Sequence, residues 1–283
     1  SFLVDPNRTR WTTTADDFPL NVVVGGEVAP VSSIATTAAT FVAVGTPNHT
    51  DNGTRNASMP TFNEGDLIVV VGAIRSSGVG TVNTPTGYTR LPMFAATDNV
   101  GVFAKVAGAS ESSAVVTFND GVAGDTCSAV AMTFRGTPTS LVDLADIVVD
   151  NIAQLNASAQ NISYGGLLPN VFGCIQLFVA WKQDDYTSVA PPSGFTEMLE
   201  ASSTSGNDQS LYIAYKIDTT PSVTNDGALV VTGGASAISR SAVAALAAGY
   251  QTFTLSARAV NGATKAQTLG TKVAVHDPAV LGL

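Results

Sequence analysis

The stretch Gly65-Asp-Leu-Ile-Val-Val-Val-Gly-Ala-Ile74, followed by Pro85-Thr-Gly-Tyr-Thr-Arg-Leu91, decides the fold, because both pieces return later in the chain. The apolar run is answered by Cys174-Ile-Gln-Leu-Phe-Val-Ala-Trp181, and the turn by Pro192-Ser-Gly-Phe-Thr-Glu-Met198. The later segments keep the same order. Val100-Gly-Val-Phe-Ala-Lys-Val106 matches Gln209-Ser-Leu-Tyr-Ile-Ala-Tyr-Lys-Ile217, Ala114-Val-Val-Thr-Phe118 matches Ala228-Leu-Val-Val-Thr232, and Cys127-Ser-Ala-Val-Ala-Met-Thr-Phe134 matches Arg240-Ser-Ala-Val-Ala-Ala-Leu246. Such self-similarity reads as a diverged internal duplication, with copies over residues 41–137 and 170–249. Its anchor is the Pro-x-Gly-aromatic-Thr turn. Proline fixes φ and glycine takes a conformation that other residues avoid, so the recurrence reports structure and not catalysis. Each copy supplies about five strands joined by loops. The fold expected is all-β: a jelly-roll-like antiparallel β-sandwich, either one large sandwich or two small ones packed together.

Composition agrees with strands and turns. Only 12% of the 283 residues are charged, with 26 Gly and 13 Pro, whereas amphipathic helices carry Glu, Lys and Arg on their wet faces. The chain is long enough to bury a sizeable core. A net charge of −9 with 13 scattered Lys and Arg excludes the clustered cations that nucleic acid requires. The longest apolar runs, such as Leu67–Val71 and Ala242–Ala248, fall short of the ~20 residues that span a bilayer, so no membrane insertion is expected. Ser1-Phe-Leu-Val-Asp-Pro has neither the basic start nor the long apolar middle of a secretory signal, which points to a chain made and assembled in a cytoplasm. Cys127 and Cys174 sit inside apolar runs and read as small core residues.

The two ends carry a pattern of their own. Phe18 to Ile34 reads as a hairpin about Gly25-Gly26. Thr252 to Ala259 and Lys272 to Val275 alternate on either side of Asn261-Gly262 and read as a second hairpin. A lone hairpin is marginal in water, so the second is expected to pack on the first, pairing Val22–Val24 or Val28–Ile34 with Phe253–Ala259. Between the copies, Leu141-Val-Asp-Leu-Ala-Asp-Ile-Val-Val149 fits a strand or a short helix.

Residues that carry chemistry are sparse. His49 and His276 are the only histidines, and both read as polar loop residues, His49 because Pro47, Asn48 and Gly53 surround it. No Gly-x-Ser-x-Gly elbow occurs. Asp16-Asp17, Asp184-Asp185 and Asp120 with Asp125 lack the ligand order of a calcium loop and read as solvated acids. A glycosidase pair is not excluded by spacing, since its carboxyls lie far apart along a chain. Ser76 to Gly80 and Gly233-Gly234 read as turns and not as phosphate loops. No catalytic residue, cofactor or metal ligand is assigned. Most of the aromatic residues sit at strand positions that suit a core. Tyr186, in Lys182-Gln-Asp-Asp-Tyr-Thr187, falls on a loop and is the best candidate for ligand contact, with Asp184 and Asp185 beside it.

The Gly65-Asp66-Leu67 strand, the Pro-x-Gly-Tyr-Thr turn, Val102-Phe-Ala-Lys-Val-Ala107 and Ala131-Met-Thr-Phe-Arg-Gly136 together resemble a β-sandwich module of tailed-phage and prophage virion proteins. The flanks resemble a second pattern of such tail proteins. It runs Phe18-Pro-Leu-Asn-Val-Val-Val-Gly-Gly-Glu27, then Gln251-Thr-Phe-Thr-x-x-x-Arg-x-Val-Asn-Gly262, then His276-Asp-Pro-Ala-Val-Leu281. The pattern often carries a histidine where Gln267 stands here, so no role of that histidine is carried over. The resemblance implies a domain insertion: residues 1–40 and 250–283 form one split β unit, with 41–249 inserted into it. It implies a non-catalytic structural protein of the virion, tail-associated, with other virion proteins and further copies of itself as partners and a host surface glycan as a possible contact. Arg8, Arg10 and Trp11 in the N-terminal arm would dock to the particle. A capsid decoration (cement) protein and a carbohydrate-binding adhesin are the alternatives, and a polysaccharide depolymerase is the enzymatic one.

Overall fold

A computed structural model describes residues 2–4, 20–24, 27–37, 39–51, 53–75, 80–119, 125–136, 148–154, 160–167, 174–204, 207–218, 224–246, 250–255 and 273–276. Among them every regular element is a β-strand, so the chain is all-β. No helix among the described residues is long and apolar enough to cross a membrane.

The apolar runs that recur in the sequence are the centres of two large sheets. In the first, the order is Thr40–Val44, Thr126–Arg135, Leu67–Ile74, Val100–Val106 and Thr89–Arg90, with Asn48–Asp51 also paired to Thr126–Arg135. In the second it is Val148–Gln154, Ser239–Leu246, Cys174–Lys182, Gln209–Asp218 and Thr196–Ser203. The two orders correspond strand for strand, and every pairing in both is antiparallel. Short ribbons complete each half. Arg55–Ala57 pairs with Ala114–Val116 and Thr81–Val82 with Phe118–Asn119, as Ile162–Tyr164 pairs with Gly227–Leu229 and Ser188–Val189 with Val231–Thr232. The chain thus passes repeatedly between large sheet and ribbons. Both Pro-x-Gly turns close in the same way. Tyr88 N–H donates to Pro85 O at 3.1 Å and Phe195 N–H to Pro192 O at 3.0 Å, with Gly87 and Gly194 each at φ 81°. Glycine is needed there because that φ is closed to most side chains.

Side-chain parity then builds three cores from these layers. Ile68, Val70 and Phe103 face Ala57, Val82 and Val116 inside the first sandwich, and Phe178, Ala180 and Tyr212 face Ile162, Val189 and Leu229 inside the second. The alternate residues Leu67, Val69, Val71 and Met132 meet Leu177, Val179, Leu211 and Ile213 in a shared core. The two sandwiches therefore pack large sheet to large sheet, in four layers. Strands buried on both faces read as unbroken apolar runs, which is why Leu67–Ile74 and Cys174–Lys182 lack polar alternation. Each large aliphatic side chain buried this way contributes about 1.5–3 kcal/mol.

The two ends of the chain build a separate sheet, in the order Phe2–Val4, Tyr250–Leu255, Glu27–Thr37, Leu20–Val24 and Val273–His276. The N-terminal hairpin forms as its sequence predicts, with Val24 opposite Glu27 across Gly25-Gly26. Phe253 lies opposite Ile34 and Tyr250 opposite Thr37, so the pairing expected between the two ends is present. The two described segments of the second expected hairpin do not pair with each other. Tyr250–Leu255 is flanked by Phe2–Val4 and Glu27–Thr37, while Val273–His276 pairs with Leu20–Val24 on the far edge. Each of the two finds a partner in the N-terminal hairpin, and a five-stranded sheet is a more stable arrangement than an isolated two-stranded ribbon. His276 is accordingly in a strand and not a loop. Asn261-Gly262, Asp16-Asp17, Asp120 and the arm with Arg8, Arg10 and Trp11 lie outside the described residues. Of the Leu141–Val149 run, Val148 and Val149 belong to a strand and the remainder lies outside the described residues.

Candidate functional site

The antiparallel register of Cys174–Lys182 with Gln209–Asp218 sets Lys182 opposite Ser210. Continued outward, it brings Asp208 across from Asp184, a juxtaposition that no sequence spacing shows. One carboxylate oxygen from each of Asp184, Asp185 and Asp208 lies within 4.8 Å of the others, and all three residues are half-buried. Burial pushes the Asp208 carboxyl up from the ordinary aspartate value, the charges of Asp185 and Asp184 push it further, and Arg75 opposes them. Three carboxylates this close can hold a hard divalent cation or share a proton.

The loop carrying Asp184 and Asp185 is fixed from several sides. Asp184 Oδ2 accepts the Ala235 N–H, and Ser210 Oγ donates to the Asp184 carbonyl at 2.8 Å. Thr187 N–H donates to Thr232 O at 2.8 Å. Gly234, at φ 70°, presses on this loop so closely that a Cβ there would overlap the Asp185 carbonyl oxygen and lie 2.6 Å from Asp184 Oδ2. The Gly233-Gly234 pair is thus a turn, as its sequence suggests, and it also clamps the acidic loop. Beside the loop, Lys182 is buried and its Nζ donates to Gln160 O at 3.0 Å. Burial lowers its pKa, against the pull of Asp184 and Asp185.

Tyr186 is not where its sequence context places it. It is only 4% exposed and packs in the second sandwich's core with Phe178 and Tyr212, so its ring is no platform for a ligand. The polar Gln183-Asp-Asp185 before it reads as loop, but the chain turns into the Ser188–Val189 ribbon immediately afterwards and the ring fills the sandwich. Burial, and then the charges of Glu200 and Glu197 with the Tyr212 hydroxyl between them in weight, raises its pKa far above the ordinary tyrosine value. Among the described residues the hydroxyls of Tyr186 and Tyr212 have no hydrogen-bond partner.

His49 also differs from expectation. It lies in the Asn48–Asp51 strand, and its Nδ1 is 2.6 Å from Ser128 Oγ. A serine beside a histidine is the geometry of an activated nucleophile, yet Ser128 is 0% exposed and no described carboxylate is bonded to the imidazole. Ser128 instead accepts from Gln209 Nε2 at 2.7 Å, and Gln209 Oε1 accepts from Trp181 Nε1 at 2.5 Å. The group is a buried polar bridge between the sandwiches. The signal available in the sequence was Gln209 itself, a polar residue in phase with the shared-core residues Leu211 and Ile213. Asp125 joins the same boundary, its Oδ1 accepting from Asn207 Nδ2 at 2.7 Å. Cys127 and Cys174 pack in different cores, one in each sandwich. Compared with protein-family models, with curated proteins and with solved structures, the chain matches none.

Proposed function

We propose that this chain is a structural protein of a tailed-phage virion, associated with the tail, held by the sheet that its two ends build and presenting the double sandwich away from the particle. The observation that supports this reading is the terminal sheet. Strands from residues 2–37 and 250–276 pair there with one another, while the residues between them form cores of their own. An element of that kind gives a bound body a single attachment unit fed by both chain ends. The phage-like Phe18–Glu27 and Gln251–Gly262 segments contribute strands to this same sheet.

The role is one of assembly and not of turnover, with other virion proteins and further copies of the chain as partners. A host surface glycan is the proposed contact of the presented body, through residues other than Tyr186. Asp184 and Asp185, half-buried at one end of the second sandwich, are the candidates retained. The test is immunogold electron microscopy of the encoding phage, with antibody raised against the whole chain. Label confined to tails is the expected result. Label on heads would replace the tail assignment with capsid decoration, and purified particles free of the protein would refute the virion role. An array of host envelope glycans, blank for the intact protein, would remove the glycan contact.

A further inference from the structure

A single line of hydrogen bonds crosses the boundary between the two large sheets. Trp181 Nε1 donates to Gln209 Oε1 at 2.5 Å, and Gln209 Nε2 donates to Ala73 O at 3.2 Å and to Ser128 Oγ at 2.7 Å. Ser128 Oγ then meets His49 Nδ1 at 2.6 Å. Trp181 and Gln209 belong to the second sandwich, and Ala73, Ser128 and His49 to the first. The direction of the line follows from its fixed members. An indole N–H can only donate and a carbonyl can only accept, so the Gln209 amide has one orientation. One of its N–H bonds is therefore directed at Ser128 Oγ. Among the described residues His49 Nδ1 is the partner left to accept the Ser128 hydroxyl proton, so the arrangement that satisfies that proton has Ser128 donate to it. This requires a neutral imidazole with its proton on Nε2.

We propose that His49 is a proton-operated latch on the edge of the first large sheet. Neutral, it accepts from Ser128 and fastens the Asn48–Asp51 strand to the inter-sandwich boundary. Protonated, Nδ1 becomes a donor facing an oxygen that already accepts from Gln209. The Ser128 proton then loses its acceptor in a place closed to water. The strand it holds is short and lies on a sheet edge, paired to Thr126–Ala129 on one side, so it is the element that yields. Its release bares one backbone edge of Thr126–Ala129.

The charged groups on the surrounding elements do not offset this. Arg55, on the neighbouring ribbon, donates through Nε to Cys127 O at 3.3 Å. Arg75 follows the Leu67–Ile74 strand, Asp125 precedes Thr126–Arg135 and Asp208 precedes Gln209–Asp218. No described carboxylate bonds to the imidazole to hold a proton on it, and burial lowers the His49 pKa below the ordinary 6.5.

Hydrogen exchange on the full chain at about pH 5 and about pH 7.5, corrected for intrinsic rates, tests the latch. The amides of 48–51 and 126–129 are expected to lose protection by roughly tenfold or more on acidification, while those of Cys174–Lys182 hold theirs. His49→Gln keeps an acceptor without a titration and should abolish the difference. An equal acid response in His49→Gln, or no local loss in the wild type, overturns the proposal. Imidazole NMR of the wild type decides the matter even if the variant fails to fold. An Nε2–H tautomer at neutral pH with a midpoint below 6.5 is required, and an Nδ1–H tautomer or a higher midpoint refutes it.

Discussion

Replacing Gln209 with leucine should cost about 1–5 kcal/mol, a range that follows from what the amide leaves behind. Leucine keeps most of the volume, so the cavity contribution is small. Trp181 Nε1–H loses its acceptor at a fully buried position, which costs about 1–3 kcal/mol. The bonds to Ala73 O and Ser128 Oγ disappear as well, at about 0.5–1.5 kcal/mol each. Burying leucine in place of an amide returns about 1 kcal/mol. Urea unfolding followed by far-ultraviolet circular dichroism measures the difference, with an unchanged slope expected. Trp181→Phe removes the stranded donor, so in the double variant the two losses should fall short of additivity by about 1–2 kcal/mol. A loss below about 1 kcal/mol in Gln209→Leu, or additive losses in the pair, would refute the buried bridge as described.

Three further outcomes follow from the geometry. Gly234→Ala should cost about 2–4 kcal/mol, combining a left-handed alanine with overlap against the acidic loop, whereas Gly194→Ala, with only the Lys216 side chain 3.8 Å away, should cost about 1–2 kcal/mol; thermal unfolding of the two compares them directly. The Asp208 carboxyl is raised by burial and by Asp185 and Asp184, so its contribution is favourable below the ordinary aspartate pKa of 3.8 and is lost as pH rises through the folded value. Asp208→Asn should therefore exceed the wild type in stability at neutral pH, by up to about 1 kcal/mol, with the gap closing near pH 3 in a urea series. Asp66 behaves oppositely. Burial raises its carboxyl, but bonds from Arg135 Nε and Nη2, both 2.9 Å, and from the Asn63 N–H more than offset this and lower it. Its stabilisation is present above 3.8 and fades as pH falls through the folded value, so Asp66→Asn should be the less stable protein at neutral pH and indistinguishable from wild type in strong acid.

Much of the architecture was legible because it depends on local chemistry. Pro85 with Gly87 and Pro192 with Gly194 mark the same turn in both halves, and the apolar runs around Val70 and Val179 mark strands with no wet face. Whether they formed one sandwich or two was not legible. Parity divides Leu67 from Ile68 between different cores, but sequence alone does not say what lies across from either. The candidate site was harder still. Asp208 joins Asp184 and Asp185 only through strand register, and Tyr186 follows two aspartates that make a core residue look like a loop residue. His49 sits among proline, asparagine and glycine, whose turn signals outweigh the four residues that pair with Thr126–Ala129. The closing stretch misled for a related reason, since two alternating segments around Asn261-Gly262 imply a hairpin until better partners exist elsewhere.

The pairing of Thr37 with Tyr250 also orders events in time. In an unfolded chain, bringing those residues together closes a loop of roughly two hundred residues, at an entropic cost of roughly 5 kcal/mol. Once the double sandwich has formed, that long segment is already compact and most of the cost is gone. The pairing of the two ends, unlike the local N-terminal hairpin, is therefore favoured once the body between them has formed. A chain that stops before Tyr250, or whose body fails to fold, leaves Glu27–Thr37 without its C-terminal neighbour and cannot complete the sheet. Attachment through that sheet would then pass only finished molecules, a quality check that requires no separate factor.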